Sequence, residues 1–517
     1  MDTESSESAN PDAKAGGAFA TTFSADGLRA AVRSGGRRTL WAQAASHVIS
    51  LVVLATLMRQ IGPENFGLFA MVVPLMLLLR LGSSMGMNIA TVQLPELKSE
   101  QVSAAFWMHV VLGLAMGIAT LAAAPAVAWF NHEPDLVWIT IALMGTPLAS
   151  SVGLQHFSLL ERNLRLGSAA VARLGAQFLG GVAAIYVAWQ GGGVWALVVQ
   201  QYAELFVMAG IAWYLEPWRP AKPGRGTPIG NLWRFGGYFT ASAVVLLFLT
   251  SVDKLLLGRV LSADLGPVDG PEALGLYSQA FSLMNKPIVI LATPLSSIML
   301  PALARSFHDR ASFTQIVLAF QRLVAVVSFP AAVGLMAVSH ETMLTFGGSK
   351  WADAGPLLAA LSPTVFAMTF IMTSSSVFAS AGQWRAMFIG SVVIAIVLVQ
   401  GLFVGLFVGR QNGDITLSVA WAYSLTTCLA TFGPYMVFCM RSIGVSPWAW
   451  ALQLFRPASS ALGMGVIVFV ARHELLAAAP NLGASARLLI LMTIGMVAYS
   501  ALAWRELRWC LQQFRGL

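Results

Sequence analysis

SVDKLLLGRVLSADLGPVDGPEALGLYSQAFSLMNK, residues 251 to 286, decides the fold. An apolar run from Tyr238 to Thr250 leads into it, and a second from Pro287 to Leu300 leads out. Asp253 and Lys254 close the first run, and Lys286 heads the second, inside its span. A charge within an apolar span costs on the order of 2.5 to 3.5 kcal/mol, so each needs a partner or a wet cavity. A soluble core does not hold three such charges so casually, and a passive anchor does not need them. The stretch therefore reads as the lining of a polar path through a membrane transporter.

The composition agrees. Of 517 residues, 57% are hydrophobic and only 10% charged, with a mean hydropathy of +0.72; soluble domains carry about 25% charged residues. This excludes a sizeable soluble domain. Cys428, Cys439 and Cys510 show no paired spacing, so neither a disulfide framework nor a metal site is implied. His47, His109 and His156 fall singly in apolar runs and read as packed side chains rather than ligands.

Fourteen runs are long enough to span a bilayer, which takes about 20 residues. They are Leu40–Met58, Phe66–Met85, Ala104–Ala124, Leu136–Phe157, Ala169–Trp189, Val194–Leu215 and Phe235–Leu257, then Leu274–Ala304, Phe313–Ser339, Leu357–Ala381, Met387–Val408, Leu417–Met440, Ala451–Val470 and Ala486–Ala503. Residues 1–38 are rich in Ala, Ser, Gly and acids and read as a disordered cytoplasmic tail. The acidic start is not a signal peptide. The tail ends in Arg29, Arg33, Arg37 and Arg38, which places it in the cytoplasm by the positive-inside rule. With fourteen spans, 21 Lys and Arg fall on the cytoplasmic side against 6 outside, and the C-terminus returns to the cytoplasm. The Pro/Gly-rich residues 216–234 then divide an N-lobe, 39–215, from a C-lobe, 235–440, leaving two extra spans and a basic tail in 441–517.

An internal repeat supports two lobes. Arg59 to Ala70 reads RQIGPENFGLFA after the first span, and Gly258 to Ala280 reads GRVLSADLGPVDGPEALGLYSQA after the seventh. Each carries an Arg, a turn with Gly, Pro and an acid, and then Gly-Leu-aromatic: Gly67-Leu68-Phe69 against Gly275-Leu276-Tyr277. The next basic residue is Arg80 in one copy and Lys286 in the other. Parallel repeats with the substrate path between them are a known transporter plan.

These stretches also resemble the Wzx-type polysaccharide flippases, in the superfamily that includes the multidrug-exporting MATE proteins and the lipid II flippases. The similarity runs from about Arg37 to Trp450. It is carried by IGPENFGLFAM (Ile61–Met71), VQLPEL (Val92–Leu97) with Phe106-Trp107, GGGVWALVVQQ (Gly191–Gln201), RFGGYF (Arg234–Phe239), DKLLLGR (Asp253–Arg259), LGLYSQA (Leu274–Ala280), Pro301 and FGGSKW (Phe346–Trp351). SADLGPVDGPEALG is longer than the usual turn there. The resemblance implies an all-α polytopic fold of about fourteen helices, in two MATE-like six-helix lobes plus two C-terminal helices. It implies no enzyme activity and no cofactor. It further implies a partner, the oligosaccharide repeat unit on undecaprenyl pyrophosphate, handled among membrane lipids, with other polysaccharide assembly proteins nearby.

Such a cargo needs cations for its pyrophosphate. Arg80 and Lys286 are the leading expected contacts, and Arg173 is a third that can also snorkel to the interface. Asp253 is expected near the outer rim as a gate acid for Arg59 or Arg259. Lys254, about 100° round the helix from it, is not expected simply to pair with it. Glu204 is the other acid deep in a span, suited to a coupling proton or sodium ion, or to a structural hydrogen bond. Membrane potential is the alternative driving force. A small-molecule exporter would want an acid-rich cavity, a glycan polymerase or ligase would need a large outer loop, and an assembly scaffold would pair every buried charge.

Overall fold

The computed structural model describes residues 25–94, 97–222, 230–306 and 309–515. Among them every regular element is helical. The helices are α1 Ala25–Gln60, α2 Pro63–Ser84, α3 Met87–Gln93, α4 Ser99–Asn131, α5 Leu136–Ala142, α6 Thr146–Arg162, α7 Leu166–Trp189, α8 Val194–Leu215, α9 Gly230–Leu265 and α10 Asp269–Ser306. They continue with α11 Arg310–Ala337, α12 Ser339–Gly347, α13 Ala354–Leu361, α14 Thr364–Ser380, α15 Trp384–Asn412, α16 Ile415–Ala430, α17 Met436–Ser442, α18 Pro447–Ala478, α19 Ala484–Leu502 and α20 Trp504–Arg515.

Each expected span falls on a helix or a pair of consecutive helices. Among the described residues, 11 helices are long and apolar enough to cross a membrane, or 12 with the bent pair α13–α14 taken as one span. The expected fourteen exceeds that count by α9 and α10, each of which includes side chains outside the described set. The expectation of a disordered tail to residue 38 lies outside the described residues up to 24; from Ala25 the chain is already helix. Leu, Ala and Arg are good helix formers, and extending an existing helix adds a bond for each residue fixed. The side chains of the basic cluster Arg29–Arg38 lie outside the described set, as do residues 223–229 of the linker and the side chains of RFGGYF.

From the sequence alone, Pro63, Pro74, Pro287, Pro294 and Pro330 mark expected kinks or span ends; Pro63 opens α2, whereas the other four lie inside unbroken helices. The spans break elsewhere. Pro147 cannot donate to the Leu143 carbonyl, and the Thr146 hydroxyl does so instead at 2.8 Å, across a 3₁₀ turn at Leu143–Gly145. Tyr202 fastens the same turn, donating to Ala142 O at 2.6 Å and accepting from Gly145 N at 3.0 Å. Pro363 marks the 42° bend between α13 and α14, and Pro434 a π turn at Thr431–Tyr435.

The chain forms two compact units: residues to Gln60 with Met71–Ser251, and Ile61–Ala70 with Val252–Leu517. The division falls inside α9 rather than in the 216–234 linker, and the PENFGLF segment joins the second unit. In the first unit, glycines let helices touch. Gly181 sits against Val53, Gly153 against Ala209, and Gly180 against Glu204 and the Gln200 carbonyl. In the second unit, α18 and α19 pack on α11 and α12 through Ala461, Met464, Val468, Leu491 and Tyr499. The Tyr499 hydroxyl donates to Val326 O at 2.7 Å.

An ion pair also ties α18 to the unit. Arg472 Nε donates to Glu341 Oε1 at 2.7 Å, and Glu341 is fully buried on α12. Sequence reading missed this acid, because its partner stands 131 residues away. Removing one member of a buried pair costs about 3 to 5 kcal/mol, because the other charge is stranded. Arg472→Ala is therefore expected to lower the melting temperature of the purified protein clearly. The double variant Arg472→Ala/Glu341→Gln recovers most of the loss in the same thermal-unfolding measurement.

Candidate functional site

The repeat glycines face each other. A Cβ on Gly67 would fall on the carbonyl oxygen of Pro271, and one on Gly275 would fall on that of Pro63. Both glycines follow their partner proline's equivalent by four residues, in PENFG and PEALG. The first turns of α2 and α10 thus cross backbone to backbone, and the relation is reciprocal. Only a hydrogen fits in place of each Cβ, and a Cα–H so placed makes a weak hydrogen bond to a carbonyl.

Other motif residues gather round this crossing in the second unit. Phe66, one residue before Gly67, meets Trp351 of FGGSKW edge-on at 5.4 Å, with both side chains buried. Trp351 in turn packs on Gly347, which leaves it room. Two residues beyond Gly275, the buried Tyr277 hydroxyl donates to Asp253 Oδ2 at 3.1 Å. Lys254 Nζ donates to the two Asp253 oxygens at 3.2 and 3.4 Å and lies 3.8 Å from the Phe281 ring centroid. Phe281 packs edge-on against the buried Tyr423 of α16.

The expectation that Asp253 and Lys254 do not simply pair is thus corrected. The backbone directions diverge, but the four-carbon stem of Lys254 curls back to its neighbour. Asp253 is also not a helix-end residue, since α9 runs to Leu265, about 18 Å further at 1.5 Å per residue. Tyr277 and Lys254 donate to it; Arg259 is half-buried on the same helix, and Arg59 is exposed at the end of α1, each with contacts of its own. The longer SADLGPVDGPEALG turn has a use: Asp264 receives a bidentate fork from Arg410, at 2.8 and 3.2 Å.

Arg80 stands on α2 one turn before a break at Met85 and Gly86, both in the left-handed region with φ of 42° and 65°. Its side chain is exposed, and Glu204 of α8 lies close enough to act on it electrostatically. Glu204 Oε1 accepts from Gln200 at 2.9 Å, rather than from Tyr202, which holds the 3₁₀ turn. Lys286 is half-buried on α10. Arg80 lies thirteen residues past Gly67 and Lys286 eleven past Gly275, about 20 Å along α2 and about 17 Å along α10. Arg173 is engaged otherwise, donating to Glu161 at 2.8 Å and lying over the Phe157 ring.

Residues 54–356, more than half of the chain, match the model of a family described as polysaccharide biosynthesis protein. The chain belongs to that family. Its curated relatives include a teichuronic acid biosynthesis protein of Bacillus subtilis, 23% identical over 74% of this chain and 77% of the relative. A succinoglycan biosynthesis transport protein of Rhizobium meliloti is 24% identical over 88% and 89%. The lipopolysaccharide biosynthesis protein WzxC of Escherichia coli is 22% identical over 81% and 83%. Among solved structures, a lipid II flippase, MurJ, in an inward closed conformation aligns with a TM-score of 0.71 at 14% identity, covering 92% of this chain and 99% of that one. An inward-facing MATE multidrug transporter aligns at 0.60 and 13%, covering 78% and 98%. This member of the polysaccharide biosynthesis family is therefore a multi-pass membrane protein with the MurJ and MATE fold.

Within the family member, the separated motifs IGPENFGLFAM, DKLLLGR, LGLYSQA and FGGSKW form one constellation in the second unit. Of VQLPEL, the described residues 92–94 and 97 belong to the first unit. There Arg162 Nη1 donates to Thr91 O at 2.6 Å and Leu94 O at 2.7 Å, closing the end of α3. No local sequence signal marked Arg162 for this work, because its acceptors are backbone atoms about 70 residues away.

Gly67→Ala and Gly275→Ala each force a methyl group onto a carbonyl that cannot move alone. Each is expected to destabilise by about 1 to 3 kcal/mol. The double variant costs less than the sum, because both strain one contact. Melting temperatures of the purified variants check this, and an unchanged value for either single variant means that the crossing is not close-packed.

Proposed function

We propose that this chain is a flippase for oligosaccharide repeat units linked to undecaprenyl pyrophosphate. It moves them across the bacterial inner membrane for exopolysaccharide, capsule or O-antigen synthesis. The observation that carries the reading is one intramembrane cation per repeat, Arg80 after Gly67-Leu68-Phe69 and Lys286 after Gly275-Leu276-Tyr277. Family membership and the shared fold support it.

Arg80 and Lys286 are the proposed pyrophosphate contacts, Arg as a planar fork and Lys as a point charge. Arg173 is the weaker candidate, since Glu161 already engages it. The glycan moves through water and the polyprenyl tail stays in lipid. Transport follows alternating access. Asp253, Lys254, Arg59 and Arg259 serve the gate region, and Glu204 serves coupling to a proton or sodium ion, with membrane potential the other source of drive. Translocation makes and breaks no covalent bond, so no catalytic residue is assigned. The basic bias of the inner loops puts both termini in the cytoplasm.

The test is complementation of a strain whose polysaccharide export is lost on deletion of this gene. Arg80→Ala and Lys286→Ala, each present in the membrane at the wild-type level, are expected to reduce export at least about tenfold, the effect of losing roughly 1.4 kcal/mol. The lipid-linked unit then accumulates on the cytoplasmic face. Full export by both variants removes these residues from the proposed site, and the absence of accumulated lipid-linked glycan overturns the flippase reading.

A further inference from the structure

Helix α20 follows the last apolar helix after a single residue, Ala503. Its sequence, WRELRWCLQQFR, holds one acid and three arginines. Burial divides it into faces. Ala503, Glu506 and Cys510 are buried, at helical spacing along one side. Trp504, Arg505, Arg508 and Gln512 are exposed on the other.

The buried face is neutralised inside the protein. Arg322 of α11 donates to Glu506 Oε2 at 2.7 Å through Nε and lies 2.6 Å from it through Nη2. The same guanidinium lies over the Trp509 ring, 4.3 Å from its centroid. The helix's only acid is thereby consumed by the core, and its outward arginines keep their charge. A free basic helix would lie at any angle; this one is held with its basic side outward.

The neighbouring surface has the same character. The Ser460 hydroxyl, near the middle of α18, donates to Leu502 O at 3.4 Å, so the end of α19 lies beside α18 about one turn past Phe455 and Arg456. Within the first three turns of α18, Trp448, Phe455 and Arg456 are exposed. Tryptophan beside arginine at the end of a membrane-crossing helix is the composition of the headgroup layer.

We propose that the outward face of α20, Trp504 with Arg505 and Arg508, docks on anionic phospholipid headgroups at the bilayer surface. Charge complementarity selects this occupant. Each arginine near an anionic membrane surface contributes on the order of 1 kcal/mol, and Trp504 has an amphipathic ring suited to that depth. The Arg322–Glu506 pair then connects lipid contact to α11, giving the second unit a fixed footing at one membrane face. This holds whatever the transported glycan is.

The experiment uses the full chain in nanodiscs of phosphatidylcholine, with and without phosphatidylglycerol, and follows backbone hydrogen exchange in residues 504–515. Phosphatidylglycerol is expected to slow exchange there about thirtyfold, in line with two arginines at the surface. The double variant Arg505→Gln/Arg508→Gln, with its melting temperature unchanged, should lose that increment. Equal exchange in the two lipid compositions overturns the proposal and is the result expected of a face that takes a protein partner. A phosphatidylglycerol effect that persists in the double variant overturns it as well. Neither result bears on glycan export, which is read separately.

Discussion

Two glycine hydrogens against two proline carbonyls set the arrangement of the second unit. Gly67 and Gly275 cannot carry a side chain without striking the helix opposite, and each is supplied by the same short pattern, Pro-Glu-x-x-Gly. The crossing holds the first turn of α2 against the first turn of α10. Phe66 is thereby delivered to Trp351, and Tyr277 is set on α10 to meet Asp253 of α9.

Charge counting within spans was the weaker guide. Several cations find acids far away in sequence. Arg472 answers Glu341, Arg322 answers Glu506, Arg410 answers Asp264 and Arg173 answers Glu161. A buried ion pair is weak evidence of stabilisation, but breaking one is costly, so Arg472–Glu341 and Arg322–Glu506, whose carboxylates are buried, pin elements in place, whereas the exposed pairs contribute little. Arg173 thus loses standing as a cargo contact. Asp253 shifts from an outer-rim acid to the centre of a buried polar cluster.

Much of the fold was legible because it rests on period and length. Each of the fourteen apolar runs lies on a helix or a pair of consecutive helices, and Val194–Leu215 matches α8 residue for residue. The repeat was legible as well, since equivalent segments keep equivalent patterns. Its meaning was not. Similarity of PENFGLF and PEALGLY shows that two segments are alike, and says nothing of whether they touch. The helix breaks were misplaced for a related reason. Most of the prolines named from the sequence ride inside unbroken helices, whereas the turn before Pro147 has Thr146 and Tyr202 to satisfy the freed backbone. A fixed angular wheel also misjudged Lys254, whose reach is set by its flexible stem.

The contrast between the two kinds of contact bears on how the molecule works. The α18–α20 segment is fastened by ion pairs with a buried carboxylate, Glu341 or Glu506. Pulling such a pair apart strands a charge in low dielectric, so these joints stay closed. The Gly67–Gly275 crossing is made of backbone. Its carbonyls are already bonded within their own helices, and its close contact is van der Waals packing with weak Cα–H donation. Opening it strands no charge and frees no strong donor. The two joints thus differ in what holds them: paired charge at α18–α20, and backbone packing where α2 and α10 begin.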